Sequence, residues 1–464
     1  MMHGLSPYQE YKASRHLWLG SIPAHWHLQK LKHLTRFVNG LPFKPGSWSS
    51  HGVPIIRIQN LNGSRHFNYT DRQDLPRELL IHPGDLLFAW SGNRGTSFGP
   101  TIWNRDFFGY LNQHIFKLVG YSLDTRYFAY VLRAVTAHIE GEKTHGIIGL
   151  VHITKPELGS AEVPIASPAE QAAIVRYLDW ANARLERAIR AKRKIIALLN
   201  EQKQAIIYRA VTRGLDPNVT LRPSGQDWLG EVPAHWKVVR IKSLLGAVDR
   251  RSSTGTEELL SLRMYHGIVL FHEHFQRPPQ ARTLVNFKLV EPGQFVVNRM
   301  QAGNGLIYCS SYSGLVSPDY SVFDVIANIN KDFLGELLRC GLMRWRFRVE
   351  STGLGTGTSG FLRLYDDRFG AVHLALPPLE EQDTIMTQLD AKLADIEQTM
   401  DRVQRELALF LEYRTCLVAD VVTGKLDVRE AAARLPAEEP IEIAEDELAG
   451  DDAELEDGET ESAA

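Results

Sequence analysis

The chain has 464 residues, 44% hydrophobic and 23% charged, ordinary for a folded protein but too long for one core, so roughly two to four domains are expected. Its three scattered cysteines, Cys309, Cys340 and Cys416, include no Cys-x-x-Cys, which excludes a disulfide scaffold and a zinc ribbon and suits a reducing cytoplasm. The net charge of −3 hides an asymmetry, because 431–464 carries −12 and leaves +9 on the remainder. No run approaches the ~18 apolar residues of a membrane span, and the polar start has no apolar signal stretch, so no membrane role is expected. The acidic tail has almost nothing to bury and is expected to be disordered. A mildly basic body is compatible with nucleic acid without demanding it.

Taken in order, the chain is one plan written twice. A polar lead-in ends in Trp18-Leu-Gly-Ser-Ile-Pro-Ala-His25-Trp26, which recurs 210 residues later as Trp228-Leu-Gly-Glu-Val-Pro-Ala-His235-Trp236. Fixed docking of this segment explains the prolines and tryptophans. His25 and His235 are assigned a structural role, since neither has a carboxylate or cysteine at ligand spacing.

Two globular stretches come next, 27–165 and 237–377. The first offers strand-like runs at Val53–Leu61, Asp85–Trp90 and His114–Val119 and a short helix at Tyr127–His138. The second answers with Leu259–Met264, Gln294–Met300, Tyr320–Val325 and a helix at Phe333–Arg348. Pro83-Gly84 is matched by Pro292-Gly293. Gly146-Ile-Ile-Gly149 is matched by Gly357-Thr-Ser-Gly360 at an offset of 211. The plan repeats while the detail diverges.

Each copy ends in a long amphipathic helix. In the first, Ser167-Pro168-Ala-Glu170-Gln171 places proline where a first turn tolerates it and a carboxylate at the positive end of the helix dipole. Ile174, Leu178, Ala181, Leu185, Ala188, Ile195, Leu199 and Ile206 then keep a four–three spacing broken at Lys192, a coiled-coil seam over about five heptads. From Gln171 to Ile207 such a helix is ~55 Å long. The second copy, 211 residues on, starts at Pro377-Pro-Leu-Glu-Glu381-Gln382. Its seam is Leu389, Leu393, Ile396, Met400, Val403, Leu407, Phe410, Arg414 and Leu417. Both helices end in Val-Thr, at 211–212 and 422–423. Repetition of flanks and period together argues for mutual packing over two unrelated amphipathic helices. The first helix carries Arg184, Arg187, Arg190, Lys192, Arg193 and Lys194 against Glu186, and the second carries Asp395, Glu397, Asp401 and Glu406. A solvated face and a phosphate-facing surface remain alternatives; complementary charge fixing the antiparallel pairing is the favoured reading.

No motif for chemistry emerges. There is no Gly-x-x-x-x-Gly-Lys-Ser/Thr for phosphates, no Asp/Asn-Pro-Pro-Tyr/Phe for amino methylation, and no His/Cys cluster at metal spacing. The cluster Gly353-Leu-Gly-Thr-Gly-Thr-Ser-Gly360 lacks the lysine of a phosphate cradle and precedes a strand-like run, so it is read as a loop.

The doubled order, Pro-Pro-Leu-Glu-Glu-Gln at 377–382, its partner Ser-Pro-Ala-Glu-Gln at 167–171 and the Val-Thr helix ends resemble the specificity subunit of Type I restriction–modification systems. The resemblance covers nearly the whole chain except the acidic tail. Departures are small: Ser-Pro-Ala replaces Pro-Pro-Leu, and Arg213-Gly214 stands where the second copy has Gly424-Lys425. The resemblance implies a non-catalytic, cytoplasmic subunit that reads double-stranded DNA and recruits two methyltransferase subunits and restriction subunits. S-adenosylmethionine, ATP and Mg then belong to those partners, with no cofactor or metal in this chain. The expected fold class is α/β, with two tandem α/β target-recognition domains separated by two long helices pairing as an antiparallel coiled coil. The expected division is a lead-in (1–26), recognition domain 1 (27–165), helical region 1 (166–222), repeated lead-in and recognition domain 2 (223–377), helical region 2 (378–430) and the tail (431–464).

Sequence in DNA is read by Arg, Lys, Asn, Gln and similar side chains at base edges, while phosphate contacts set register. Loop-placed candidates are Lys44, Arg57, Gln59, Asn60, Asn93, Arg94, Lys143 and His145 in the first half. In the second they are Arg250, Arg251, Arg263, Arg299, Gln301, Asn304 and Arg363. Asn93-Arg94-Gly95 and Gly303-Asn304-Gly305 come after matching strands and form the best-supported pair. For any one residue an intradomain polar contact remains open. The alternative functions are a coiled-coil assembly protein with no DNA role and an enzyme with an unrecognised motif.

Overall fold

The structure, a computed structural model, describes residues 5–142, 150–264, 266–275, 278–279, 281–353 and 362–436. It divides into two compact units, 1–192 with 406–464, and 193–405. The cuts fall inside the two long helices, Pro168–Arg213 and Leu379–Val422, so each unit contains the start of one helix and the end of the other. No helix among the described residues is long and apolar enough to cross a membrane.

Unit 1 is built on an antiparallel sheet in the order Gly99–Ile102, Leu86–Ala89, Ile115–Val119, Arg36–Asn39. Leu86–Ala89 is buried along its whole length, and the helix Thr125–Glu142 covers one face of the sheet with Tyr127, Phe128, Val131, Leu132 and Val135. A second sheet, ordered Asn68–Thr70, Val53–Ile56, Gly109–Leu111, Leu80–Ile81, contains a parallel pair, and Trp103, Ile55 and Leu111 fill its core. Unit 2 repeats the first sheet as Leu245–Val248, Tyr320–Val325, Phe295–Asn298, Ile307–Cys309. The second sheet recurs in reduced form: Leu260–Arg263 pairs with Gly267–Leu270, Lys288–Val290 pairs with Gly314–Val316, and a parallel bridge between Leu259 and Leu315 joins the two pairs. Mixed α and β content is therefore as expected, while two expected elements are shorter. The strand at 53–61 stops at Ile56, and Ile58–Leu61 turns into a single helical turn. The helix expected at 333–348 is two, Lys331–Arg339 and Gly341–Glu350, because Cys340 is extended and its buried side chain sits in the core.

The repeated Glu-Gln pair explains how each long helix is attached. Ser167 and Glu170 form a capping box, and the same carboxylate takes hydrogen bonds from His25 Nε2 at 2.8 Å and Trp26 Nε1 at 3.3 Å. Gln171 donates to the Ala166 carbonyl at 2.9 Å and accepts from the Asp124 amide at 3.0 Å, and Asp124 in turn accepts from the amides of Arg126 and Tyr127 at the start of helix Thr125–Glu142. Unit 2 repeats these links except the capping box, because Pro378 stands where unit 1 has Ser167. Glu381 takes His235 at 2.7 Å and Trp236 at 3.1 Å, and Gln382 bonds the Pro377 carbonyl at 2.9 Å and the Asn330 amide at 3.0 Å. Asn330 caps helix Lys331–Arg339 through Phe333. The lack of a nearby carboxylate for His25 and His235 holds for the sequence only. Folding brings one from about 145 residues away to each, and the role is structural.

The ends of the long helices pack under the lead-in segments. Gly424 has φ +77°, and a Cβ there would lie 2.3 Å from the Pro23 ring, so only glycine fits. Gly214, with φ +76°, sits beside Trp236 in unit 2. The one-residue difference between Arg213-Gly214 and Gly424-Lys425 thus preserves a left-handed glycine beneath each tryptophan. In unit 1 the chain also closes on itself: Asp427 donates its amide to Ser6 at 2.9 Å, and Tyr11 Oη donates to the Gly424 carbonyl.

Within each unit the two helical segments run in opposite directions. In unit 1 Lys192 pairs with Glu406 at 2.5 Å and Glu186 with Arg414 at 3.0 Å; in unit 2 Lys203 pairs with Glu397. Ile174, Leu178, Ala181, Leu185, Leu389, Ile396 and Val403 are buried, and Phe410 packs against the unit 1 core. One seam residue is corrected: Ile195 is 39% exposed. After Leu185 the seam moves to buried Ile189 and half-buried Lys192, Ile196, Leu199, Lys203 and Ile206, still a four–three spacing but one residue out of step with Ala188 and Ile195. Lys192 is therefore no break in the seam but a polar member of it with an ionic partner.

Replacing Gln382 by alanine leaves the Asn330 amide without its acceptor and is expected to cost about 1–3 kcal/mol, read as a lower urea midpoint by tryptophan fluorescence. Burial alone would raise the Glu170 carboxyl, but the hydrogen bonds from His25, Ser167 and Trp26 outweigh it and hold it below its ordinary value of 4.5. Its stabilising contribution is therefore complete above that value and is lost as pH falls below it. A Glu170→Gln chain should show a flatter loss of stability between neutral and acid pH than the natural chain.

Candidate nucleic-acid interface

The matched turns suspected from sequence do occupy equivalent places. In unit 1 Ser91–Asn93 leaves the central strand and pairs with Leu150–His152, and Arg94 stands exposed at the tip. The turn is tightened by Ser97 Oγ, which accepts from the Asn93 amide at 2.6 Å, and by Glu140, which accepts from the Gly95 amide at 2.8 Å. Beside it Trp90 contacts the rings of His114 and His152, and Gln113 bonds His114. Gln113 and His152 are exposed. Sequence reasoning missed these three polar side chains, although Asn112-Gln113-His114 directly precedes a strand.

In unit 2 the strand Phe295–Asn298 leads to the short turn Ala302–Asn304, with Asn304 exposed and Gln301 half-buried. Arg348 donates to Asn304 Oδ1 at 3.0 Å, and Arg344 borders Gly305. Sequence reasoning also missed these two arginines on helix Gly341–Glu350. The alternation Arg344-Trp-Arg346-Phe-Arg348 was the available signal, obscured by the expectation of one unbroken helix. Arg299 and Arg363 converge from separate segments on Asp319, at 3.5 and 3.2 Å, and the Arg299 carbonyl accepts from the Leu364 amide. At corresponding turns the helix behind thus offers a carboxylate, Glu140, in one unit and a guanidinium, Arg348, in the other.

The remaining candidates divide. Lys44, Gln59, Arg250 and Arg251 are exposed, though Arg250 pairs with Glu291 at 2.9 Å and Arg251 with Asp249 at 3.0 Å. Arg57 is half-buried, bonded to Asn68 and lying over the Trp48 ring at 5.4 Å. Arg263 lies over Phe275 at 5.1 Å. Asn60 is corrected. It is 2% exposed, accepts from the Arg57 amide and donates to the carbonyls of Ser64 and His66, so its amide is spent on the fold. Lys143, His145 and most of the glycine cluster at 353–360 lie outside the described residues. Among the described residues no group of three or more His, Cys, Asp or Glu is placed to hold a metal ion.

On the first long helix, only Lys192 of the basic run Arg184–Lys194 faces a carboxylate of the second among the described residues. Complementary charge therefore acts at single seam positions, with the arginines pointing elsewhere.

Comparison with known proteins agrees with this architecture. Residues 24–195 match the family model described as the Type I restriction modification DNA specificity domain. The type I restriction enzyme EcoBI specificity subunit of Escherichia coli is 25% identical over 196 residues, 41% of this chain and 40% of that one. The protein assigned as the type I restriction enzyme MjaX specificity subunit of Methanocaldococcus jannaschii is 21% identical over 443 residues, 89% of this chain and 96% of that one. A structure solved in work on complex assembly and conformational transition of the type I R-M system has the same fold, with TM-score 0.56 and 13% identity over 86% of this chain and 98% of that one. Residues 24–195 thus resemble the Type I DNA specificity domain, and along most of its length the chain is similar to the specificity subunits of Type I restriction–modification systems.

Proposed function

We propose that this chain is the DNA-sequence specificity subunit of a Type I restriction–modification complex. Its two units read the two different halves of a bipartite, asymmetric site in double-stranded DNA, and the chain itself catalyses nothing. The observation that carries this reading is a repeated sheet and a repeated Glu-Gln attachment that present different side chains at matching turns. Asn93 and Arg94, with Gln113 and His152 beside them, serve one half-site. Gln301 and Asn304, with Arg344 and Arg348 beside them, serve the other, and Arg299 and Arg363 set the turn through Asp319. Asn and Gln suit adenine edges and Arg suits guanine edges.

The two long helices form an antiparallel coiled coil that fixes the distance between half-sites. They also recruit two methyltransferase subunits, which bring S-adenosylmethionine, and through them the restriction subunits that use ATP and Mg. The three ion pairs within the units and the four–three buried line support that pairing.

Methylation-sensitive long-read sequencing of the host genome, with and without the gene, should show loss of methyl-adenine from one two-part motif. An unchanged methylome in a cell that expresses the partner subunits would refute the reading. Arg94→Ala should relax one half-site only, by about 1–3 kcal/mol of discrimination at one base pair, while the other half-site stays intact. Adding seven residues to each helix in register lengthens it by ~10 Å, or about three base pairs. The unread spacer should grow accordingly with both half-sites unchanged; constant spacing would sink the ruler.

A further inference from the structure

Unit 1 leaves one strongly charged helix face without a counter-charge. Arg176, Trp180, Arg184, Arg187 and Arg190 recur at helical spacing on one side of Pro168–Arg213. Arg184 and Arg187 are exposed and Arg190 is half-buried. The Arg184 guanidinium lies over the Trp180 ring at 4.9 Å, and Arg187 Nε donates only to its own helix, at the Ala183 carbonyl. None of Arg184, Arg187 and Arg190 has a carboxylate partner among the described residues, whereas Glu186 and Lys192, round the helix, are both paired. Like charges at this spacing repel, so the face favours any polyanion within reach.

The far end of the chain is held at the foot of this face. Leu435 packs against the unit 1 core, and Arg176 Nη2 donates to the carbonyls of Leu435 at 2.8 Å and Pro436 at 3.3 Å. Beyond Pro436, the 28 residues 437–464 include 13 Asp or Glu and no Lys, Arg or His. From Arg176 to Arg190 is about 21 Å along the helix, and ten residues of chain span up to ~33 Å. Glu438, Glu439, Glu442, Glu445 and Asp446 fall within that reach.

We propose that the acidic segment 437–464 docks in cis on the Arg184–Arg187–Arg190 face and shields it from other polyanions. The occupant is chosen by charge complementarity and by where the chain leaves the core. Tethering a few residues from the face gives the segment an effective concentration that a free polyanion must exceed. Guanidinium–carboxylate contact at a surface is screened by salt, so the shield is removable. The inference does not rest on the DNA-specificity reading.

The test places a photocrosslinking side chain at Ala191, which is exposed on the same side of the helix. In the full chain at low salt, cross-links within one monomer to peptides of 437–464 are expected, with loss at about 0.5 M salt. Absence of such cross-links, or cross-links only between copies, overturns the proposal. In parallel, heparin serves as a sequence-neutral polyanion. A chain ending at Pro436 should bind it at least about threefold more tightly than the full chain, and Arg184→Gln, Arg187→Gln and Arg190→Gln together should erase the difference. Equal heparin affinity of the full and shortened chains overturns the proposal, and a difference that survives the glutamine substitutions places the tail elsewhere and overturns it too. Neither readout depends on which DNA sequence is read.

Discussion

A carboxylate set into the first turn of each long helix is the constraint on which both units depend. Glu170 caps its own helix, accepts from the Trp26 indole and His25 imidazole of the lead-in segment, and is nearly out of water. A buried charge is tolerated only when its hydrogen-bonding capacity is filled, and here three separate groups fill it. The adjacent glutamine extends the attachment, since one amide group ties a strand end to the start of the helix that covers the sheet. Recognition fold, lead-in and long helix are thereby oriented by two consecutive side chains. Unit 2 uses the same two residue types for the same bonds apart from the Ser167 cap, where it has Pro378.

That attachment explains why the two units can differ so much elsewhere. The central sheet keeps its strand order in both, but the second sheet of unit 1 is reduced in unit 2 to two strand pairs joined by one parallel bridge, Leu259 to Leu315. Nothing in the Glu-Gln bonding reaches those regions, so they vary without disturbing the helix attachment. The turns that leave the central sheet, around Asn93 and Asn304, lie between these regimes, with fixed backbone positions and free choice of side chain. A protein that must recognise two unlike targets with one architecture needs that division.

Charge on the first long helix has two separate uses. Lys192 lies in the seam and meets Glu406, where a polar pair specifies register and direction. Arg184 and Arg187 project away from the seam and meet no carboxylate among the described residues, so their charge is available to something outside the folded units.

Much of this was legible in the amino-acid order, because repetition is a one-dimensional signal. The doubled lead-in, the Glu-Gln helix starts, the four–three period and the Val-Thr ends needed no coordinates, and the two inner strands of each central sheet fell where β-branched and aromatic runs placed them, while the outer ones did not. Only the tertiary structure could decide matters of long-range proximity and of which face a residue takes. Carboxylates 145 and 146 residues distant could not be seen at His25 or His235 from local spacing. The one-residue shift that exposes Ile195 and buries Ile189 depends on how the partner segment sits, since both residues are isoleucine and either fits an apolar stripe. Asn60 looked like a base reader because its residue type serves both purposes; three backbone groups within six residues of it claim the amide once the turn closes. The sequence by itself determined the repeated plan, because period and spacing are properties of the chain, and folding decided which polar side chains remain exposed, because that depends on which partners the fold has already supplied.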